Sequence, residues 1–304
     1  MSEHKNLSFH RVPQEERKTD VILRPPSTYL KDSLYNLSRN PLGMIGATVI
    51  IFMILFAIIG PVALPYTYNQ QNLRNNFQPP SAEHWMGTDN LGRDMTVRIA
   101  YGARISLQVG FTASLLSLTI GIFYGAISGF VGGNTDLVMM RFVEIISSVP
   151  QILYIILLSQ VLPKGDINNI IFVIGLTGWM QTARVVRGDV FSLKTREYVL
   201  AARVSGVSNL GIITKHLIPN AIGPIIVSLT MSVPGAIFNE AALRFIGAIG
   251  STIPSWGELA RDGMGAIRSS PHLTIYPSLF ISVTILAFTL LSDALQQAFD
   301  PKKR

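Results

Sequence analysis

The sequence predicts an all-α, polytopic membrane protein with six transmembrane helices. Three observations carry that reading. Of 304 residues, 48% are apolar and only 14% charged, where soluble domains carry about 25% charge. Six long gaps contain no Asp, Glu, Lys, Arg or His: 40–73, 105–135, 145–163, 167–183, 217–239 and 273–292. Lys and Arg gather in three regions that an even number of spans places on one side.

A helix rises about 1.5 Å per residue, so about 20 residues cross a ~30 Å hydrocarbon core. Irregular backbone is not tolerated against lipid, so the gaps read as helices. The predicted spans are about 42–64, 104–131, 138–162, 167–186, 217–244 and 273–295. The third and fourth windows are short, so their helices borrow flanking residues or end near the interface. Residues 1–39 form a polar tail and 40–304 the transmembrane domain.

The tail carries Lys5, Arg11, Arg17, Lys18, Arg24, Lys31 and Arg39. The loop between spans four and five carries Arg184, Arg187, Lys194, Arg196, Arg203 and Lys215, and the C-terminus Lys302, Lys303 and Arg304. The positive-inside rule makes that side the cytoplasm, with both termini in it. The net charge of +7 is then an orientation signal, and no nucleic-acid partner is implied. The tail has no short apolar core of a secretory signal. The chain has no cysteine, which excludes disulfides, thiolate metal sites and Cys nucleophiles.

The outer side has a long loop at about 66–103, a tight one around Lys164–Asp166, and one at about 246–272. Span two holds Gly110, Gly121, Gly125, Gly129, Gly132 and Gly133. Small residues permit close helix packing; a glycine-lined pathway is the other reading. His4, His10, His84 and His272 are scattered and form no motif.

The most informative segment is the cytoplasmic loop at 187–216. Thr195 is placed to cap a helix, with Glu197 in the first turn facing the positive dipole end. Ala201 and Ala202 present a thin surface. Gly206 supplies a corner, Ser208 caps a second short helix, and Pro219 marks the entry to span five. Two helices about a corner make a compact knob suited to a groove on another protein. An interfacial amphipathic helix also fits the loop's basic charge.

Among isolated charges, Arg141 and Glu144 stand at helical spacing, as do Glu240 and Arg244 in the favourable acid-first order. Either set is a structural pair, or, with Pro150 as a kink, part of a pathway or gate. Asp89, Arg93 and Asp94 read as a loop held by its own ion pairs. Asp293 reads as a local partner for a basic residue, and His216 as a packing or hydrogen-bonding group.

Ala202, Gly206 and Pro219, in the form Glu197-Tyr198-Val199-x-Ala201-Ala202 … His216-x-x-Pro219-Asn220, resemble the cytoplasmic signature of ABC-importer permeases. The usual Glu slot holds Leu200, the acid comes three residues earlier, and His216 and Ile218 replace the usual Ile and Leu. Asn40-Pro41-Leu42-Gly43, Met86-Gly87-Thr88-Asp89 … Gly92-Arg93-Asp94, Pro254-Ser255-Trp256-Gly257-Glu258-Leu259 and Asp300-Pro301-Lys302 resemble the oligopeptide/dipeptide branch, most closely its second permease subunit. Nickel and glutathione permeases share the pattern.

The resemblance implies a type I ABC-importer permease fold in a bacterial cell membrane. It implies a homologous second permease subunit, two cytoplasmic ABC ATPases, an external substrate-binding protein and a peptide substrate. Glu197, Tyr198, Ala201, Ala202, Arg203 and Gly206 are then the ATPase-coupling residues. Asp89, Arg93, Asp94 and Trp256, on outer loops, are candidates for meeting the binding protein. The chain has no Gly-x-x-x-x-Gly-Lys-Ser/Thr loop, so ATP and magnesium are expected on the partners and no cofactor on this chain. A self-contained secondary transporter is disfavoured by the scarcity of intramembrane acids, and a membrane enzyme by the lack of a nucleophile–base set.

Overall fold

The computed structural model describes residues 29–163, 165–249 and 253–299. The tail residues Lys5 to Arg24, the loop residue Lys164 and the C-terminal basic cluster lie outside the described residues, as does the Asp300-Pro301-Lys302 motif.

Helix α1 (Tyr29–Ser38) folds the end of the predicted tail against the last helix, with Ser33 buried. Helix α2 (Pro41–Ala63) is span one. Pro41 sits in its first turn, where a missing N–H costs nothing. Asn40 caps it, accepting from Gly43 N at 3.1 Å. Helix α3 (Met95–Val131) is span two and starts nine residues before the predicted 104. Asp94 caps it, accepting from Val97 N at 2.9 Å.

Span three is not one helix. Helices α4 (Gly133–Ser147) and α5 (Gln151–Val161) meet at a bend of 80°. Neither reaches the ~20 residues a span needs. Pro150 cannot supply the N–H that would continue α4, and it disfavours helix at the preceding residue. Among the described residues five helices are long and apolar enough to cross a membrane, and α4–α5 taken together as one span makes a sixth.

Helix α6 (Ile167–Leu193) is span four, capped by Asp166 through Asn168 N at 2.9 Å. It runs seven residues past the predicted 186, so the first part of the expected 187–216 loop is helix. Helices α7 (Glu197–Val204), α8 (Asn209–Ile212) and α9 (Ile218–Asn220) follow, with a π-helical turn at Ile213–Leu217. Helix α10 (Ile222–Phe245) is span five, and the expected start at 217 falls in that π turn. Helix α11 (Trp256–Met264) lies in the last outer loop, and α12 (His272–Phe299) is span six.

Helix α3 is the hub. It packs most extensively on α6, and also on α10, α2 and α11, while α12 packs on α2 and α10. The α3–α6 seam explains the span-two glycines. A Cβ at Gly121 would sit 2.6 Å from Thr182 Cβ, and one at Gly129 2.6 Å from Arg187 O; at Gly125 it would meet Ala183 O. These three glycines bring two backbones together, which is the packing reading rather than a glycine-lined pathway.

Gly125→Leu is expected to force this seam apart, costing about 1–3 kcal/mol as other overpacked sites do. Gly188, also on α6, has open space where its Cβ would stand. Thermal melting of the purified chain in detergent should fall for Gly125→Leu and stay near wild type for Gly188→Leu.

Candidate functional site

On the side where the 194–221 segment lies, α7, the corner at Gly206 and α8 form the expected knob. Gly206 has φ +77°, and its N–H donates to Arg203 O at 3.1 Å, closing α7. Left-handed backbone costs a residue with a Cβ roughly 1–2 kcal/mol. Ser208 caps α8, accepting from Gly211 N at 3.2 Å. Thr195 does not cap α7: the cap position is Arg196, which makes no side-chain capping bond. The Thr195 hydroxyl turns back to Ser192 O. Glu197 stands in the first turn of α7, exposed.

The knob has two faces. Val199, Ala202, Ile212, Ile213 and Leu217 are buried in one cluster with Ala126 and Phe130 of α3 and Val186 and Val190 of α6. The knob is therefore seated on the α3–α6 pair, and Ile225 in the first turn of α10 joins the same cluster. Its other face exposes Leu200, Leu210 and Val204, the last 90% exposed. Tyr198, Ala201 and Gly206 are on the exposed side, and Ala202 is not. Arg203 lies over the Phe130 ring at 5.5 Å from its centroid, and Arg196 and Lys215 are exposed. The resulting surface is apolar with a basic rim.

Beneath the knob, Arg187 grips Asp136 with Nε and Nη2 both at 2.5 Å from the carboxylate, and Ser128 Oγ donates to the same acid at 2.5 Å. Lys194 Nζ donates to Gly129 O at 2.8 Å. These contacts join α3, α4 and α6 at one end. Asp136 carried no role in the sequence because its partner is 51 residues away. His216 contributes through its carbonyl, which accepts from Asn220 Nδ2 at 2.6 Å.

The opposite end is held by buried charge. Glu240 and Arg244 are 0% and 1% exposed, with Glu240 Oε1 2.7 Å from Arg244 Nε. Arg244 Nη1 also donates to Glu258 Oε2 of α11 at 2.8 Å, and Ser106 of α3 donates to Glu240 at 3.0 Å. The pair seen in the sequence is thus a two-acid clamp joining α10, α11 and α3. Burial raises the Glu258 carboxyl above its ordinary range, the Arg244 guanidinium opposing that rise. Trp256 is fully buried, its Nε1 donating to Ile99 O at 3.0 Å. It has no surface to offer an external partner, which corrects that expectation.

Asp89 and Asp94 are also buried, each 4% exposed. Asp89 accepts from Leu91 N and Arg93 N at 2.9 Å each, from Arg93 Nε at 2.6 Å, and from Arg98. The self-paired loop is what the structure builds, and direct contact by these two acids is closed off by their own partners. Arg93 keeps part of its side chain outward. His84, which formed no motif in the sequence, pairs through Nδ1 with Asp94 Oδ2 at 2.8 Å.

Glu144 pairs with Arg141 at 2.7 Å, both exposed. Asp293 is exposed and makes no ion pair among the described residues, contrary to its expected basic partner. A cavity of about 330 Å³ opens between α3, α5, α6 and α10.

The chain is thus a bundle of membrane-type helices with a two-faced knob at one end, an ion-paired cap at the other and a cavity of mixed lining between them, the architecture of a polytopic membrane subunit. Residues 118–304 match the model of the binding-protein-dependent transport system inner membrane component family, and residues 28–80 match the N-terminal TM domain of oligopeptide transport permease C. The chain belongs to this permease family. It is 45% identical to the oligopeptide transport system permease protein OppC of Bacillus subtilis, covering 90% of each chain. It is 43% identical to the dipeptide transport system permease protein DppC of the same organism, over 96% of this chain and 91% of that one. The OppC of Haemophilus influenzae is 42% identical, over 99% of this chain and 96% of its own.

Arg244→Ala is expected to strand the Glu240 carboxylate and destabilise the chain by about 3–5 kcal/mol, the cost of breaking a buried pair from one side. Replacing all three members by neutral groups of similar size, Glu240→Gln and Glu258→Gln with Arg244→Met, should recover most of that loss. Thermal melting of the single and triple variants checks the sign of the recovery.

Proposed function

We propose that this chain is one of two related permease subunits of an ATP-driven importer for oligopeptides or dipeptides. An external binding protein delivers the peptide. Two ATPases, which hold ATP and magnesium, dock on the coupling loops of the two permeases, one of them on the basic-rimmed apolar knob of this chain. The observation that supports the reading is the two-faced knob: its inner face is packed with α3, α6 and Ile225 of α10, while Leu200, Val204 and Leu210 remain exposed. The names of the relatives support the peptide substrate. The tail and knob lie on the cytoplasmic side in this reading, where the basic residues belong.

Coupling follows from how the knob is joined to its neighbours. It is packed against α3 and α6, but it connects to α10 through the π turn at Ile213–Leu217 and a break at Ala221. Partner closure therefore carries the knob with the α3–α6 pair, and the joint lets α10 take a second orientation. ATP binding shifts the population by contacting one orientation better than the other.

Cells lacking only this chain should lose uptake of labelled di-, tri- or pentapeptides and regain it when the gene is restored. Loss of nickel or glutathione uptake alone would overturn the peptide assignment and leave the permease assignment standing. Gly206→Arg should insert normally and abolish transport, because the corner loses its backbone conformation and a charged side chain enters the docking face. Gly206→Ala should be milder, a strain of roughly 1–2 kcal/mol at an otherwise open position. Normal transport by a well-expressed Gly206→Arg chain would contradict the docking role.

A further inference from the structure

The cavity between α3, α5, α6 and α10 has a lining that the knob and the ion-paired cap do not explain. Its volume of about 330 Å³ falls in the range of ligand sites, about 300–1,000 Å³. Hydroxyls and amides project from its walls: Ser114, Gln151, Gln181, Thr182, Ser228 and Asn239. Between them stand apolar side chains such as Ile174, Val185 and Met231, and no charged side chain among the described residues lines it.

Of these groups Gln151 donates to Thr177 Oγ1 at 3.2 Å, and others are short of partners. Ser114 lies near the middle of α3 and is 1% exposed, yet its Oγ has no hydrogen-bond partner among the described residues. The side chains of Gln181, Ser228 and Asn239 make no hydrogen bond among the described residues. Polar groups at membrane depth persist where they line water or a ligand, because hydrocarbon satisfies none of them. Amides and hydroxyls supply both donors and acceptors. That set matches a peptide main chain, which presents N–H and C=O groups in alternation. Walls without charge neither attract nor repel a charged substrate side chain.

We propose that this cavity is a transit site for the peptide main chain, holding it by exchangeable hydrogen bonds while leaving side-chain charge unread. The proposal rests on the peptide-import reading above. It differs from a passive gap in one respect: a charge placed in the wall should create a selectivity that the native chain lacks.

The test is uptake of labelled Ala-Ala-Ala, Ala-Glu-Ala and Ala-Lys-Ala by cells carrying Gln181→Glu, Gln181→Lys or Asn239→Asp in place of the native chain. Ratios between peptides are read, so differences in variant abundance cancel. Gln181→Glu and Asn239→Asp should each lower Ala-Glu-Ala uptake relative to Ala-Ala-Ala by about tenfold, equivalent to ~1.4 kcal/mol of like-charge repulsion. Gln181→Lys should lower Ala-Lys-Ala instead. Unchanged ratios overturn the proposal. So does equal loss of all three peptides in both acidic variants, each of which preserves side-chain shape. A native chain that restores no Ala-Ala-Ala uptake contradicts the peptide reading itself, and the transit site with it.

Discussion

The close approach of α3 and α6 is the constraint on which the rest of the structure depends. Backbones come together in a membrane only where side chains are small, since lipid gives apolar helices no hydrophobic reason to associate. Gly121, Gly125 and Gly129 provide that approach, one per turn along α3. Everything attached to α3 inherits its position. At one end, Arg187 and Lys194 of α6 reach Asp136 and Gly129 O. At the other, Ser106 of α3 meets Glu240 of α10, and Ile99 holds the Trp256 indole.

The two ends use different physics for the same purpose. The ion-paired cap relies on charge that has been removed from solvent and must be matched: one arginine faces two acids, tying α10 to α11. Such a site fixes geometry sharply because any misfit leaves an uncompensated charge. The knob relies on apolar packing, with Val199, Ile212 and Leu217 fully buried. Packing of that kind keeps the knob rigid on its base and leaves the basic-rimmed outer face for a partner. The irregular backbone is concentrated at the joint to α10, where the π turn and the Ala221 break interrupt the regular ladder. In the proposed coupling, this seat and the irregular joint together direct a push on the knob toward a change in span five.

The sequence made the helices legible wherever hydrophobicity ran unbroken, and failed where charge entered a helix. Arg104 stopped the apolar window of span two at 105, although the helix reaches back to Met95, past a second arginine, Arg98, that is buried against Asp89 and Asp262. Arg187 and Asp189 hid the end of α6 in the same way. The corner at Gly206 and the Ser208 cap were readable because both act within three residues. Thr195 failed as a cap since the chain starts α7 one residue later. Glu258 joining Arg244, Asp136 joining Arg187 and His84 joining Asp94 were not readable. Their partners are distant in sequence or on separate elements, and single residues carry no mark of such pairing. A cap position for Asp94 was available from the Asp-x-x helix start, and that signal would have placed the beginning of α3.

The most direct test of the central claim is whether the knob moves with α3 or with α10. The chain has no cysteine, so spin labels can be placed in it as single pairs. Val204 at the knob tip, Val131 at the end of α3 and Met231 on α10 are all exposed. In the assembled transporter, distances for Val204–Val131 and Val204–Met231 would be measured without nucleotide and with ATP trapped on the partners. The account predicts an unchanged Val204–Val131 distance and a shifted Val204–Met231 distance. A fixed Val204–Met231 distance with a shifted Val204–Val131 distance would contradict it, since the knob would then be a part of span five and not of the α3–α6 base.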